Sequence, residues 1–320
     1  MMKILLTDNL DPKAAELMRR HGLEVDVLPT PPRDELFSLL SRYDGLGVRS
    51  ATRVDAEVLQ AAKQLKLVVR GGVGVDNIDV QKAGELGIAV ANTPGANTIA
   101  TTELTFALML ALCRHVVPAM HSLTRGEWNR SPFRGVELYG KTLGILGFGR
   151  IGREVARRAQ AFGMHVLAHD PYVSARVFES AAMQQTDMNH LLAEADFITL
   201  HLPLTPETHH LINRERIAQM KNGVRLVNTA RGALLDENAV ADALDRGKIA
   251  GVALDVYETE PPPAEHPLVG HAKVVCVPHL GANTFEAQSR VAEELAQVFI
   301  DFFVHRKMTN VINADRLSKT

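Results

Sequence analysis

Cysteine is scarce in this chain. Cys113 and Cys276 are the only two among 320 residues, and each sits inside an apolar run. That excludes a disulfide framework and a cysteine-rich zinc site. An excess of one charge is lacking too: 35 lysines and arginines face 37 acids, a formal net charge of −2. No general field therefore draws the chain toward nucleic acid or a membrane surface. Long hydrophobic runs are also missing. The longest, residues 104–113, ends at Arg114, far short of the ~20 residues of a spanning helix. The opening Met-Met-Lys-Ile-Leu-Leu-Thr-Asp reads as a short strand followed by an acid, not as a signal peptide. These absences predict a cytoplasmic protein with no nucleic-acid and no membrane partner.

What the chain has is apolar content, 46% of its residues, enough for one large domain or two smaller ones. Short apolar runs alternate with helix-length amphipathic segments. In the first half the runs are 3–7, 23–28, 45–49, 67–70 and 88–92, with helices over 12–21, 33–41, 55–63 and 79–86. In the second half they are 142–146, 165–168, 197–200, 224–227, 249–254 and 274–277. Continuous rather than alternating runs indicate parallel strands covered on both faces, and alternation with helices implies right-handed crossovers. The fold class is α/β, doubly wound. Residues 98–125 read as one long helix, capped by Thr98 and ended by Gly126. Its middle is apolar nearly all round, so it is buried in a domain or a subunit interface. A last helix over 284–306 shows a packing face of Val291, Leu295, Val298, Phe299 and Phe302.

Gly147, Gly149 and Gly152 form a GxGxxG pattern between the strand 142–146 and a helix over 150–162. The first glycine permits the turn, the second lets a pyrophosphate approach, and the third lets helix and strand pack closely. The helix N-terminus offers N–H groups to the phosphates. Asp170 ends the next strand, 18 residues after Gly152, where a ribose-binding acid belongs. It would repel the extra phosphate of NADP, so the expected cofactor is NAD. A second cluster, Gly71-Gly-Val-Gly-Val-Asp76, reads either as a nest for a small anion or as a plain tight turn.

Ligands of open α/β sheets bind outside the carboxyl ends of the strands. Ionisable residues stand just past three predicted ends: Arg231, then Glu258 and Glu260, then His279. Hydride transfer to a carbonyl needs a proton donor, which histidine supplies near neutral pH. A carboxylate beside it favours the imidazolium, and an arginine can hold a substrate carboxylate and polarise the carbonyl. Each residue alone is more often structural; the coincidence of all three beside a cofactor site favours chemistry. Asp255 also follows a strand, in a setting that reads equally as a turn. His201 closes the strand 197–200, within reach of a cofactor. His209 and His210 read as solvated, with no carboxylate or cysteine at ligand spacing, so no metal centre is expected.

These residues lie in longer motifs: Arg70-Gly-Gly-Val-Gly-Val-Asp-Asn77, Asn92-Thr-Pro94, the stretch 140–154, His169-Asp-Pro171, Val227-Asn-Thr-Ala-Arg-Gly232, Ala253-Leu-Asp-Val-Tyr257 with Glu260-Pro261, and Pro278-His-Leu-Gly-Ala282. Through them nearly the whole chain resembles the D-isomer-specific 2-hydroxyacid dehydrogenases. The resemblance implies two doubly wound parallel-sheet domains. One is a Rossmann cofactor domain, about 98–283; the other is a discontinuous, flavodoxin-like substrate domain, 1–97 plus 284–320. It implies that Arg231 binds the substrate carboxylate and carbonyl, that Glu260 supports the histidine, and that His279 is the general acid or base. Gly72 and Val73 would hold the substrate carboxylate by backbone amides, which favours the nest. Arg150, Ile151, Pro203 and Thr208 would join the cofactor site, as would Thr229, Asp255 and Gly281. A homodimer or homotetramer is expected, joined through the cofactor domains near residues 104–112.

The resemblance is greatest to members acting on D-3-phosphoglycerate. There Arg49, Arg70 and Arg130 match cations that serve the substrate phosphate, Arg130 reaching in from a partner subunit. The alternative for Arg49 is a surface pair of the Arg49–Asp44 kind, worth little. The C-terminal regulatory domains of longer relatives are not expected. Gly71 and Gly95-Ala96 depart from common relatives near the substrate loop. The leading expectation is thus NAD-dependent oxidation of D-3-phosphoglycerate. The alternatives are a glyoxylate or hydroxypyruvate reductase and, from another class, an NAD-sensing corepressor-like scaffold.

Overall fold

The computed structural model describes residues 1–317. They form two compact units, one built from Met1–Asn97 with the chain from Ala282 onward, the other from Thr98–Gly281.

The first unit opens with β1 (Lys3–Leu6), α1 (Lys13–Arg20), β2 (Glu24–Val27), α2 (Arg33–Leu40), β3 (Gly45–Val48), α3 (Ala56–Ala61), β4 (Leu67–Arg70), α4 (Val80–Glu85) and β5 (Ala89–Asn92). Asp55 and Asp79 start α3 and α4 by accepting the Val58 and Lys82 N–H groups. The sheet is parallel, in the order β2-β1-β3-β4-β5, the flavodoxin-like winding. Register sets Val48, Arg70 and Asn92 side by side at one edge.

The second unit holds α5 (Thr98–Cys113), α6 (Val116–Thr124), β6 (Thr142–Leu146), α7 (Arg150–Ala161), β7 (His165–His169), α8 (Ala175–Ser180), α9 (Met188–Glu194), β8 (Phe197–Leu200), α10 (Arg214–Gln219), β9 (Val224–Asn228), α11 (Glu237–Asp245), β10 (Ile249–Leu254) and β11 (Val274–Cys276). Its parallel sheet runs β11-β10-β9-β8-β6-β7. A single bridge from Ala168 to Gln185 stands where a third strand of the Rossmann winding would lie. Strand interiors such as Ile145, Ile198, Leu226 and Val252 are fully buried, each side chain contributing roughly 1.5–3 kcal/mol.

The chain then returns to the first unit through α12 (Phe285–Phe303) and α13 (Ala314–Leu317). A Cβ added at Gly45 would lie 2.7 Å from the Phe299 ring, so the glycine lets α12 rest directly on β3. The first unit resumes at Ala282, whose carbonyl accepts from Gln288 of α12 at 2.7 Å.

One expectation is corrected. The helix expected over 98–125 is two helices, α5 and α6, meeting at 61°. His115 breaks them with a left-handed φ of 52°. Pro118 then falls in the first turn of α6, the place where its missing N–H costs nothing. No single helix among the described residues is long and apolar enough to cross a membrane.

Candidate active site

Register builds the site. Leu146, Leu200, Asn228, Leu254 and Cys276 pair across β6, β8, β9, β10 and β11 in one row. Residues that follow the row therefore share one edge of the sheet, where the strand order also reverses around β6.

The glycine loop leaves this row first. Gly147 has φ 96°, and a Cβ on it would lie 2.6 Å from the His201 carbonyl oxygen. On Gly152 a Cβ would lie 2.1 Å from the Gly147 carbonyl oxygen, so α7 packs tightly on the loop. Gly149 has nothing within 4 Å of that position, so its face is open. It is also the N-cap of α7 and has no capping side chain, which leaves first-turn N–H groups for an anion. Arg150 is exposed and Ile151 half-buried beside it.

Asp170 is buried and accepts N–H groups from Phe148 at 2.8 Å and Tyr172 at 3.0 Å. Each of its oxygens accepts one N–H, which leaves acceptor capacity for ribose hydroxyls. His201 Nε2 lies 3.0 Å from the Thr199 hydroxyl, while its buried Nδ1 has no hydrogen-bond partner among the described residues. Burial pushes this imidazole down to about 3, so it is neutral. Thr208 donates its hydroxyl to the Pro203 carbonyl at 2.8 Å, closing the loop after β8. The Thr229 hydroxyl lies 3.0 Å from that of Thr105. The open Gly149 face, the uncapped helix and the orphaned His201 nitrogen fit a bound dinucleotide.

The three candidate reacting residues follow the same row. His279 Nδ1 lies 2.7 Å from Glu260 Oε2, and both side chains are partly exposed. Burial resists ionisation of Glu260. The His279 hydrogen bond and charge, the Tyr257 N–H and the nearby Arg231 charge outweigh it and hold the carboxyl below its usual range. Arg231 thus stands near enough to Glu260 for its charge to be felt. Its guanidinium donates to the Ala230 carbonyl at 2.6 Å.

Sequence reasoning missed Asn228, Gly232 and Tyr257 among the residues that hold these groups, and left Asp255 open between a turn and the cofactor site. Buried Asn228 donates to the Arg231 carbonyl at 2.7 Å and accepts the Ala230 N–H at 3.0 Å, shaping the turn that presents the arginine. A Cβ on Gly232 would lie 1.8 Å from the Tyr257 carbonyl carbon, so the Arg231 segment packs directly on the chain leading to Glu260. Tyr257 donates its N–H to Glu260 at 3.1 Å and its hydroxyl to the Val277 carbonyl at 2.9 Å. Asp255 accepts the Leu280 and Gly281 N–H groups at 2.5 and 2.9 Å, clamping the His279 loop. Burial raises its carboxyl above the ordinary range, against the pull of those N–H groups and His279. The signal available was Asn and Asp placed directly at strand ends, where their short side chains satisfy turn amides.

In the first unit, Arg49 and Arg70 stand at the ends of β3 and β4. Arg49 donates its N–H to Asp8 at 2.8 Å and its guanidinium to Gln288. Burial lowers its pKa, and Asp8 opposes the change. The Arg49–Asp44 pair does not form: Asp44 meets Lys66 at 2.8 Å instead. Gly72 has φ 152°, and a Cβ there would lie 1.9 Å from the Arg70 guanidinium. Val73 is exposed, and its carbonyl accepts from Asn92 at 2.5 Å. Arg130, in the second unit, is exposed.

His209 and His210 need a second correction. Glu258, distant in sequence, reaches both, with Oε2 3.1 Å from His210 Nε2 and Oε1 3.8 Å from His209 Nε2. The carboxylate absent from their own stretch is supplied by the chain after β10.

Residues 106–281 match the family described as D-isomer specific 2-hydroxyacid dehydrogenase, NAD binding domain. D-3-phosphoglycerate dehydrogenase of Rattus norvegicus is 46% identical over 316 residues, 99% of this chain and 59% of that protein. The chain thus spans about three fifths of the length of that relative. A hydroxypyruvate reductase of Thermotoga maritima is 47% identical over 92% of this chain and 96% of its own. A crystal structure of a Thermus thermophilus protein superposes with a TM-score of 0.88 at 41% identity, covering 97% of this chain and 100% of that one.

Proposed function

The chain belongs to the D-isomer specific 2-hydroxyacid dehydrogenase family, and from that premise we propose that it oxidises D-3-phosphoglycerate to 3-phosphohydroxypyruvate with NAD. The observation that carries this reading is the 2.7 Å contact of His279 Nδ1 with ionised Glu260, beside Arg231. Glu260 accepts a hydrogen bond from the Nδ1–H and leaves Nε2 for the substrate oxygen. In oxidation Nε2 takes the hydroxyl proton; in reduction it returns one to the carbonyl oxygen. Arg231 holds the substrate carboxylate and draws negative charge onto the carbonyl oxygen. Bound NAD supplies the acceptor for the hydride that leaves the hydroxyl-bearing carbon.

The first unit serves the substrate. Val73 offers its backbone amide to its carboxylate, as does Gly72 once its N–H leaves the Arg70 carbonyl, 2.9 Å away, and Arg49 and Arg70 offer charge to its phosphate. Arg130 joins them from a second subunit. The relatives named D-3-phosphoglycerate dehydrogenase support the phosphorylated substrate; the Thermotoga maritima relative supports hydroxypyruvate as the second reading. A panel of 2-oxo acids, followed by nicotinamide absorbance, separates them. Arg49→Ala is expected to cut kcat/KM for 3-phosphohydroxypyruvate by about 10- to 100-fold, a loss of one charge-assisted contact, and to leave hydroxypyruvate nearly unchanged. Equal losses on both substrates would remove the phosphate from the proposal.

The assembly is a homodimer or a pair of dimers, joined through the cofactor-binding units. α6 exposes Val116, Met120 and Leu123, and Trp128 beyond it is 82% exposed. Such a patch of large apolar groups marks an association surface. Leu123→Glu, examined by light scattering, is expected to yield monomers at micromolar concentration; an unchanged mass would place the contact elsewhere. Both cysteines are free, in keeping with a reducing compartment such as the cytoplasm.

A further inference from the structure

One cluster of metal-binding groups lies outside the machinery assigned above. Among the described residues, the ligand atoms of His209, His210 and Glu258 lie within 4.8 Å of one another. The two imidazole rings stack with centroids 4.0 Å apart, and both Nε2 atoms approach the one carboxylate. We propose that these three side chains bind a divalent transition-metal ion of the zinc class.

The donor set decides the class. Two imidazole nitrogens and one carboxylate oxygen suit zinc, with water in the fourth position, whereas magnesium and calcium prefer all-oxygen shells. The backbone prepares the site. His210 is held in the left-handed region at φ 48°, and its N–H donates to the Ala233 carbonyl at 2.7 Å. The Glu258 N–H donates to Glu237 Oε1 at 3.1 Å, and a Cβ on Gly232 would lie 2.2 Å from the Glu258 nitrogen. Both ligand-bearing segments are therefore fastened to the stretch from Gly232 to Glu237. Metal–nitrogen distances of about 2.0–2.1 Å require the side chains to close by roughly an ångström, which their partial exposure allows. A bound ion would staple the loop after β8 to the loop after β10. None of its three ligands belongs to the reacting trio, although the two loops it joins also carry Thr208 and Glu260.

The test titrates tag-free, chelator-treated protein with zinc chloride by calorimetry and follows Tm. The expected result is one zinc per chain with a Kd of about 10 µM or tighter and a higher Tm in its presence. His209→Ala and Glu258→Gln should each weaken binding by about tenfold or more and abolish the Tm rise. His210→Asn, which tolerates the left-handed backbone, should do the same, while His271→Ala should bind as wild type. The proposal is overturned if wild type takes up no zinc at about 100 µM, or if the three ligand variants bind as tightly as wild type. In either case His209, His210 and Glu258 form only a surface polar contact.

Discussion

His279→Gln is expected to lower kcat by about 10³-fold, within the 10²- to 10⁴-fold range of general acid–base catalysis. NAD affinity should stay close to wild type. The His279 loop is held by Asp255 through the Leu280 and Gly281 N–H groups, not by the ring. Glutamine retains hydrogen-bonding capacity but cannot shuttle a proton at neutral pH. Stopped-flow absorbance with a 2-oxo acid, beside a fluorescence titration of NADH, separates chemistry from binding. A variant that turns over as fast as wild type would remove His279 from the reaction. A wild type that binds NADH yet turns over no 2-oxo acid would favour the scaffold reading.

The glycine loop makes a second large contrast. Gly149→Ala is expected to leave stability within about 1 kcal/mol, the scale of an N-cap change, because nothing lies within 4 Å of the added Cβ. Its NAD affinity should nevertheless fall by at least about tenfold, since that methyl occupies the face a pyrophosphate approaches. Gly152→Ala behaves differently. Its Cβ would lie 2.1 Å from the Gly147 carbonyl oxygen, so α7 must move, at a cost of about 1–3 kcal/mol, and cofactor affinity falls with stability. Thermal denaturation without cofactor and calorimetric titration with NAD test both variants. If Gly149→Ala binds NAD as tightly as wild type, the loop is structural only.

Much of this was legible in the chain. Apolar runs such as 249–254 and 274–277 carry no alternation, which fits parallel strands covered on both faces. The glycines declare a turn, an open face and a close contact by spacing alone. Arg231, Glu260 and His279 stand out as candidates because strand ends bound the search. What stayed hidden depends on tertiary approach. Nothing near His209 announces Glu258. His115 is an ordinary residue in a helical stretch, and its left-handed backbone shows only once α6 turns away by 61°. Asn228 and Asp255 look like reacting groups by type, but their oxygens are occupied with turn amides. Asp8 likewise collects the Arg49 and Thr52 N–H groups from across the sheet, a long-range pairing that spacing does not encode.

The aligned row from Leu146 to Cys276 has a consequence for how such a protein can change. Side chains alternate faces along a strand, so one residue inserted before Asn228 would invert everything downstream and carry Arg231 away from its neighbours. The same insertion after the row lengthens a connection and leaves the sheet's alignment alone. The β-sheet thus works as a datum line, and variation in what is recognised can accumulate in the segments that depart from it.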